Sequence, residues 1–470
     1  MAGIVVQKFG GTSVGSAERL SQVANIIKDS CQTKSVIAVI SALSPERKAN
    51  GTTSLLIKAT EQTLKSLPFE QELSIITSNH IQAVEGVIHD PKLKEETLKF
   101  VNDEILRVRT FLAALAVIKE CSPASMDNII CAGERLSAFV LSRALMSVGI
   151  NAEYIDLSDI VDWQIYSFSN NFFDEVQNAI AKRCMPKQLE SANAQGYAIY
   201  TVPVVTGYFG PVPGGMLEQV GRGYTDFTAA MITSGLGRDL VSELQVWKEV
   251  DGICTADPRR VKDAKLLSEI SAIEASELTH FGSEVLHPFT VERVTEHSIP
   301  IRVKNTFNPQ NEGTCVLPST TSQTSQISAI TVKAGITVVT LTSNRMFNTY
   351  GFLAKTFDIL RDGGIVVDIV ATSEISISFS VEKEANIKLI KPQLEALGKV
   401  YIEPNRAILA VVGQNIRASA GTAGKLFSAL ANENINVGMI SKGASGVNIS
   451  CIIAQDDIDK ALPEVHKAFF

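Results

Sequence analysis

The sequence predicts an α/β domain built on a mostly parallel sheet, with helices on both faces, followed by two small α+β modules in tandem. Three observations carry this. Short apolar stretches alternate with helical ones through the first 305 of 470 residues, the pattern of a doubly covered parallel sheet. A polar run follows, NTFNPQNEGTCVLPSTTSQTSQ at 305–326, whose composition marks a domain boundary. Beyond it the chain repeats itself: GFLAKTFDILRDGGIVVD from Gly351 aligns with GTAGKLFSALANENINVG from Gly421, matching Gly, Lys, Phe, Leu and Ile at 351/421, 355/425, 357/427, 360/430 and 365/435. A repeat of that size means two copies of one βαββ unit.

The strands read GIVVQKF (3–9), SVIAVIS (35–41), NAEYIDL (151–157), YAIYTVPVVTG (197–207), SELQVW (242–247) and IPIRVKN (299–305), most of them β-branched and apolar on both faces. Helices are expected at Ala17–Lys28, Leu136–Ser147 and Thr225–Ser234, and the charge-rich, strand-poor region from 55 to 120 reads as a helical excursion. Expected domains are 1–305, a linker 306–326, and modules 327–402 and 403–470.

Composition excludes several classes. A net charge of -7 and a pI of 5.6, with no clustered basic face, argue against nucleic acid. Seven cysteines without a C-x-x-C pair suit reduced thiols. Six histidines give no ligand spacing, His280 and His287 being seven apart, so no resident metal is expected. There is no leader pattern and no long apolar span, so a cytoplasmic protein without a membrane partner is expected.

The chemistry begins at KFGGTSVGS (8–16). The Gly10 and Gly15 spacing resembles a phosphate-binding loop, but Ser16 and Ala17 stand where Lys and Ser/Thr belong. Glycine amides at a strand end, a helix start and Lys8 can receive an anion; a plain strand-to-helix turn is the other reading. VGRGYTD (220–226) is a second glycine-flanked turn, with Arg222 suited to grip a carboxylate or phosphate. Its Asp226 can orient a lysine, hold a metal or simply cap the helix. CAGERLSAFVLSRAL places Glu134 at a strand-to-helix turn, where it can also compensate the helix dipole. VWKEVDGICTADPRR (246–260) is a charged loop with a turn at Asp257-Pro258 and an exposed Arg259. Charged turns at strand ends, without a His or Cys nucleophile, fit phosphoryl transfer.

Together VVQKFGGTSVGS, VISALSPERKANGTTSLL, AGERLS, GRGYTD, VWKEVDGICTADPR and FGSEVLHPFT closely resemble aspartate kinase (aspartokinase) of the amino-acid kinase superfamily, most like its fungal branch. The resemblance spans the chain and implies a three-layer α/β/α kinase domain followed by two ACT domains of βαββαβ type. By it, Lys8 contacts the transferred phosphoryl group and Asp226 organises Lys8 and the metal. Gly10 and Gly11 cradle phosphate, while Lys248, Glu249, Asp257 and Arg259 line the ATP site. Ser41, Thr53, Tyr208 and Thr225 line the substrate pocket, Glu134 accepts the substrate ammonium and Arg222 clamps its α-carboxylate. Gly351, Phe352, Asp368, Ser373, Glu374 and Asn436 would meet an amino-acid effector. Departures from the bacterial pattern lie at Lys248-Glu249, Cys254 and Glu284. No G-x-G-x-x-G follows the repeats, so a monofunctional enzyme is expected.

The resemblance therefore implies ATP- and Mg²⁺-dependent phosphorylation of the L-aspartate β-carboxylate. It implies no tightly bound cofactor, feedback by threonine before lysine, and a homodimer or homotetramer joined through ACT domains. The alternatives are a kinase for another small acid, against which Glu134 and Arg222 argue, and a non-catalytic amino-acid sensor, against which Lys8 and Asp226 argue.

Overall fold

Strand β1, Ile4–Phe9, is buried along its whole length, and its place at the centre of the main sheet follows from that. It pairs in parallel with β2 (Ser35–Ile40) on one side and β5 (Val241–Lys248) on the other, Lys8 standing level with Val39 and Val246. In the computed structural model the described residues are 3–45, 50–161, 172–192, 198–282, 285–319, 327–343, 350–382, 387–442 and 446–470. They fall into two units: Met1–Ile253 with Val285–Ser319, and Cys254–Glu284 with Thr320–Phe470.

The sheet of the first unit is completed by β3 (Ala152–Leu157), β4 (Val202–Phe209), β6 (Ile301–Asn305) and β7 (Thr314–Leu317). Its order is β3-β4-β2-β1-β5-β6-β7, parallel except for β7. The expected strand at 197–207 is divided: Ala198–Tyr200 pairs with Gln188–Ala192 in a separate ribbon, and only Val202–Phe209 joins the sheet. The chain leaves β1 for β2 and later returns to β5 on its other flank, so the crevice at the carboxyl ends of these strands is a topological switch point.

Helices α1 (Ala17–Ser30), α2 (Thr52–Leu64), α3 (Glu70–Val87), α4 (Pro91–Ile118) and α5 (Pro123–Ser147) share one hydrophobic core over one face. The helical excursion is therefore real, at 52–118. On α1 the buried Leu20, Val23, Ala24 and Ile27 form the core stripe, and Ser16 caps the helix by accepting the Arg19 N–H. The other face carries α6 (Phe172–Arg183), α7 (Tyr224–Leu236) and the helix Pro288–Glu296, which pack together. Helix α7 is buried on nearly every side.

Helix α5 corrects one expectation. It starts at Pro123, behind an N-cap at Ser122 whose hydroxyl accepts the Ser125 N–H, so Glu134 sits mid-helix and not at a turn. Gly133, which reads as a turn residue, instead permits close packing: a Cβ there would lie 2.7 Å from that of Ala42.

In the second unit, β8 (Ala329–Thr342) and β11 (Lys399–Val412) are long strands that serve both repeats. The 336–342 half of β8 pairs with β10 (Ser376–Glu382), while 329–333 pairs with 408–412 of β11. The six-stranded sheet adds β9 (Val370–Thr372), β12 (Met439–Ser441) and β13 (Asn448–Ala454), with helices α8 (Phe352–Asp362), α9 (Ile387–Glu395), α10 (Thr422–Asn432) and α11 (Ile458–Phe469). The repeat is visible in detail: Gly351 and Gly421 both cap their helices at positive φ (80° and 86°). The Asp368 and Gly438 N–H groups donate to Ser380 and Ile452 at matching places. All seven cysteines are free thiols, and no described helix is long and apolar enough to cross a membrane.

Gly207 joins the sheet tightly to α7. A Cβ on Gly207 would lie 2.4 Å from Thr225 Cγ2 and 2.6 Å from the Ile40 carbonyl oxygen. Gly207→Ala is expected to destabilise the first unit by ~1–3 kcal/mol, visible as a lowered Tm in thermal unfolding; an unchanged Tm would refute this packing.

Candidate active site

The carboxyl ends of β1, β2 and β5 and the start of α7 bring charged side chains together. Lys8, one residue before the end of β1, is buried, and its Nζ lies 2.7 Å from Asp226 Oδ1. Asp226 is in the first turn of α7. Its other oxygen lies 3.5 Å from Lys248 Nζ at the end of β5. Burial alone pushes the Asp226 carboxyl up; the charges of Lys248 and Lys8, the Lys8 hydrogen bond and His287 reverse this and hold it at about 2. Burial pushes the Lys8 ammonium below its ordinary value against the pull of Asp226.

The glycine loop closes over this pair. The Gly10 N–H donates to the Trp247 carbonyl and the Ser44 N–H to that of Gly11. A Cβ on Gly11 would lie 2.6 Å from the Ala42 carbonyl oxygen, so the loop and the end of β2 can approach this closely only with glycine there. Thr12 donates to the Glu249 carboxylate at 3.2 Å, linking the loop to the residue after β5. The Ser41 N–H donates to the Phe9 carbonyl at 3.2 Å, so Ser41 stands at the same strand ends.

Glu134 faces this site from α5. It is fully buried; its Oε1 accepts the Ala42 N–H (3.1 Å) and the Tyr224 hydroxyl (2.8 Å). Its Oε2 is buried without a hydrogen-bond partner among the described residues. Burial pushes this carboxyl up to about 7, moderated by the bonds from Tyr224 and Ala42. A buried acid with one open oxygen suits a cationic ligand group. Thr53 hydrogen-bonds the Tyr224 hydroxyl at 3.3 Å, and Thr225 is buried against Gly207.

Tyr208 is buried behind this layer, its ring edge-on to Tyr224 at 5.2 Å, so Tyr224 is the tyrosine that touches Glu134. The Arg222 backbone lies in the single turn Gly221–Gly223; its side chain, Glu284 and residues 46–49 of the SPERKAN stretch lie outside the described residues. Asp257 and Arg259 belong to the second unit, where the Asp257 carboxylate accepts from the Arg259 backbone and guanidinium. Tyr224, Thr12 and His287 went unassigned in the sequence; the only signal for Tyr224 was its place beside Thr225 and Asp226.

Of the expected effector residues, Asp368 is paired with Lys333 at 2.7 Å. Ser373 bonds the Ser376 hydroxyl at 2.7 Å, and Glu374 and Asn436 are exposed. Gly351 opens on free space beside the buried Phe352, whereas 344–349, including the start of the NTYGFL loop, lie outside the described residues.

The amino acid kinase family model matches residues 3–305, and an ACT domain model matches 339–388 and 409–469. An aspartokinase of Schizosaccharomyces pombe is 40% identical over 99% of this chain and 92% of its own length. The chain belongs to the aspartokinases of the amino acid kinase family. An aspartokinase of Saccharomyces cerevisiae is 37% identical over 98% of this chain and 92% of its own. Among solved structures, E. coli aspartokinase III in complex with aspartate and ADP (R-state) superposes with a TM-score of 0.77 at 25% identity, covering 99% of this chain and 100% of that one. As a member of this family the chain is an aspartate kinase of amino-acid biosynthesis with ACT regulation.

The Glu134 environment sets a pH dependence. Its carboxyl is raised to about 7, so it is increasingly protonated as pH falls below 7 and then no longer offers a charge to an ammonium. On this account kcat/KM for aspartate falls about tenfold per pH unit below that point, while Asp226, held at about 2, adds no limb above pH 4. Profiles of the wild type and Glu134→Gln measure this; the account requires the acidic limb to vanish in the variant.

Proposed function

We propose that this site transfers the γ-phosphoryl group of MgATP to the β-carboxylate of L-aspartate, giving 4-phospho-L-aspartate. The single observation that carries the reading is the open, buried oxygen of Glu134, held by Ala42 and Tyr224 at the strand and helix ends that also carry the Lys8–Asp226 pair. Glu134 accepts the substrate α-ammonium and Arg222 grips the α-carboxylate, with Ser41, Thr53 and Thr225 shaping the pocket and Tyr208 backing Tyr224 from behind. A two-point grip of this kind reads an α-amino acid and points its side chain away.

The β-carboxylate, with an ordinary pKa near ~3.9, is ionised at neutral pH and needs no general base. One carboxylate oxygen bonds to the γ-phosphorus as the bond to the bridging oxygen of ADP breaks. The obstacle is repulsion between two anions. Lys8, steadied by Asp226, and the Gly11 amide neutralise the charge that spreads over the moving phosphoryl group, while the Gly10 amide, turned to Trp247, shapes the loop. Lys248 and Glu249 stand beside that path, and Asp257 and Arg259 are assigned to the nucleotide. Magnesium bound with the nucleotide would screen its phosphates, with Asp226 as the carboxylate beside it.

The ACT repeats are read as an effector site, with Gly351, Phe352, Asp368, Ser373, Glu374 and Asn436 facing the ligand and a homo-oligomer formed through their sheets. Threonine is preferred to lysine. The sequence likeness to fungal relatives supports this, and so does Lys333, which already sets one cation against Asp368, leaving the site better suited to a neutral side chain than to a second positive charge. A cytoplasmic location fits this role.

A coupled ADP-release assay with L-aspartate, L-glutamate or no acceptor tests the activity; turnover must require aspartate. Lys8→Ala is expected to lower kcat at least ~10²-fold with the fold intact, a loss of ~3 kcal/mol, and near-normal turnover would sink the assignment. Arg222→Ala should raise KM for aspartate far more than for ATP. Millimolar threonine should inhibit the wild type, and Asp368→Ala should abolish that inhibition with little change in uninhibited turnover; if neither threonine nor lysine inhibits, the regulatory reading fails and the kinase reading stands.

A further inference from the structure

The loop between β4 and α7 is held in place by a residue that the roles above leave unused. Asp127 lies on α5 seven residues before Glu134, which puts both on one face of the helix. It is 2% exposed. Its carboxylate accepts the N–H of Val212 at 3.0 Å and that of Met216 at 3.1 and 3.2 Å. The Gly214-Gly215 turn between these amides runs at positive φ (80° and 88°). A Cβ on Gly215 would lie 3.1 Å from that of Pro123, the first residue of α5. The loop is thus seated on the N-terminal turns of α5, and eight residues beyond Met216 the chain reaches Tyr224.

The contacts close a circuit. Asp127 holds the Val212 and Met216 amides of the loop that leads to Tyr224, and Tyr224 donates to Glu134, back on α5. Burying a carboxylate is costly unless its hydrogen bonds are well made. Here those bonds run to the one loop that carries Arg222 and Tyr224, where displacements of about 1 Å are enough to cost a hundredfold in rate or binding. We propose that Asp127 is a positioning residue for aspartate recognition, setting the β4–α7 loop, and with it Tyr224 and the Arg222 backbone, against Glu134. This rests on the reading that Glu134 and Arg222 grip the α-amino-acid end.

The test is steady-state kinetics of full-length Asp127→Asn, which turns one acceptor into a donor facing a backbone N–H, alongside Gly215→Ala, which crowds the same turn against Pro123, and Glu134→Gln. Asp127→Asn should raise KM for aspartate about tenfold or more, with KM for ATP and saturated kcat within about threefold. Gly215→Ala should raise the same constant by about threefold, and it decides the matter if Asp127→Asn does not fold. Unchanged aspartate KM in these variants, or aspartate KM, ATP KM and kcat worsening together with a lower Tm, overturns the proposal. If Glu134→Gln also leaves aspartate KM unchanged, the underlying reading fails; if it raises KM while Asp127→Asn and Gly215→Ala do not, only the positioning role fails.

Discussion

The constraint on which the site depends is the burial of Lys8 against Asp226. An ammonium on a central strand of a parallel sheet has no access to bulk water, and its desolvation is tolerable only with a fixed anion at contact distance. Asp226 meets that need from the first turn of α7, at 2.7 Å. The same carboxylate faces Lys248 at 3.5 Å, so one anion places two cations where β1 and β5 end. The glycines of the loop follow from this arrangement, because side chains there would fill the space between Lys8 and the end of β2. A cation held by protein dipoles and charges before the substrate arrives needs little reorganisation during the reaction, which is the main source of electrostatic catalysis.

Helix α5 supplies the second half of the design. One face carries Asp127, bonded to backbone amides, and Glu134, bonded to a backbone amide and a tyrosine but keeping one oxygen open. Burial acts on both in the same direction, raising each carboxyl. What separates them is satisfaction: Asp127 bonds the loop through both oxygens, whereas Glu134 keeps one oxygen without a partner among the described residues.

The sequence made the charged strand ends legible because they are local. Lys8 with Gly10 and Gly11, and Asp226 in the first turn of a helix, each sit within a few residues of the signal that places them. Glu134 was legible as a residue but not in its setting, since Gly133 reads as a turn until its contact with Ala42 is known. Tyr224 and Asp127 were not legible at all: a tyrosine at a helix start and an acid near a helix N-terminus have ordinary structural explanations, and only the fold reveals what they touch. The same limit applies to Asp257 and Arg259. They follow β5 closely in the chain, yet neighbouring Ala256 and Val261 pack into the core formed by Leu409, Leu426 and Leu462. Apolar spacing shows that such residues are buried, not against which partner.

The central claim is that Lys8 and Asp226 act as one unit, and a double-mutant cycle on kcat tests it most directly. Lys8→Met, Asp226→Asn and the double variant would be compared with the wild type at saturating aspartate and MgATP. Because each side chain depends on the other, the double variant is predicted to be about as impaired as the worse single one, a strongly non-additive result. Losses that simply multiply, each variant contributing its full factor in the presence or absence of the other, would contradict the account.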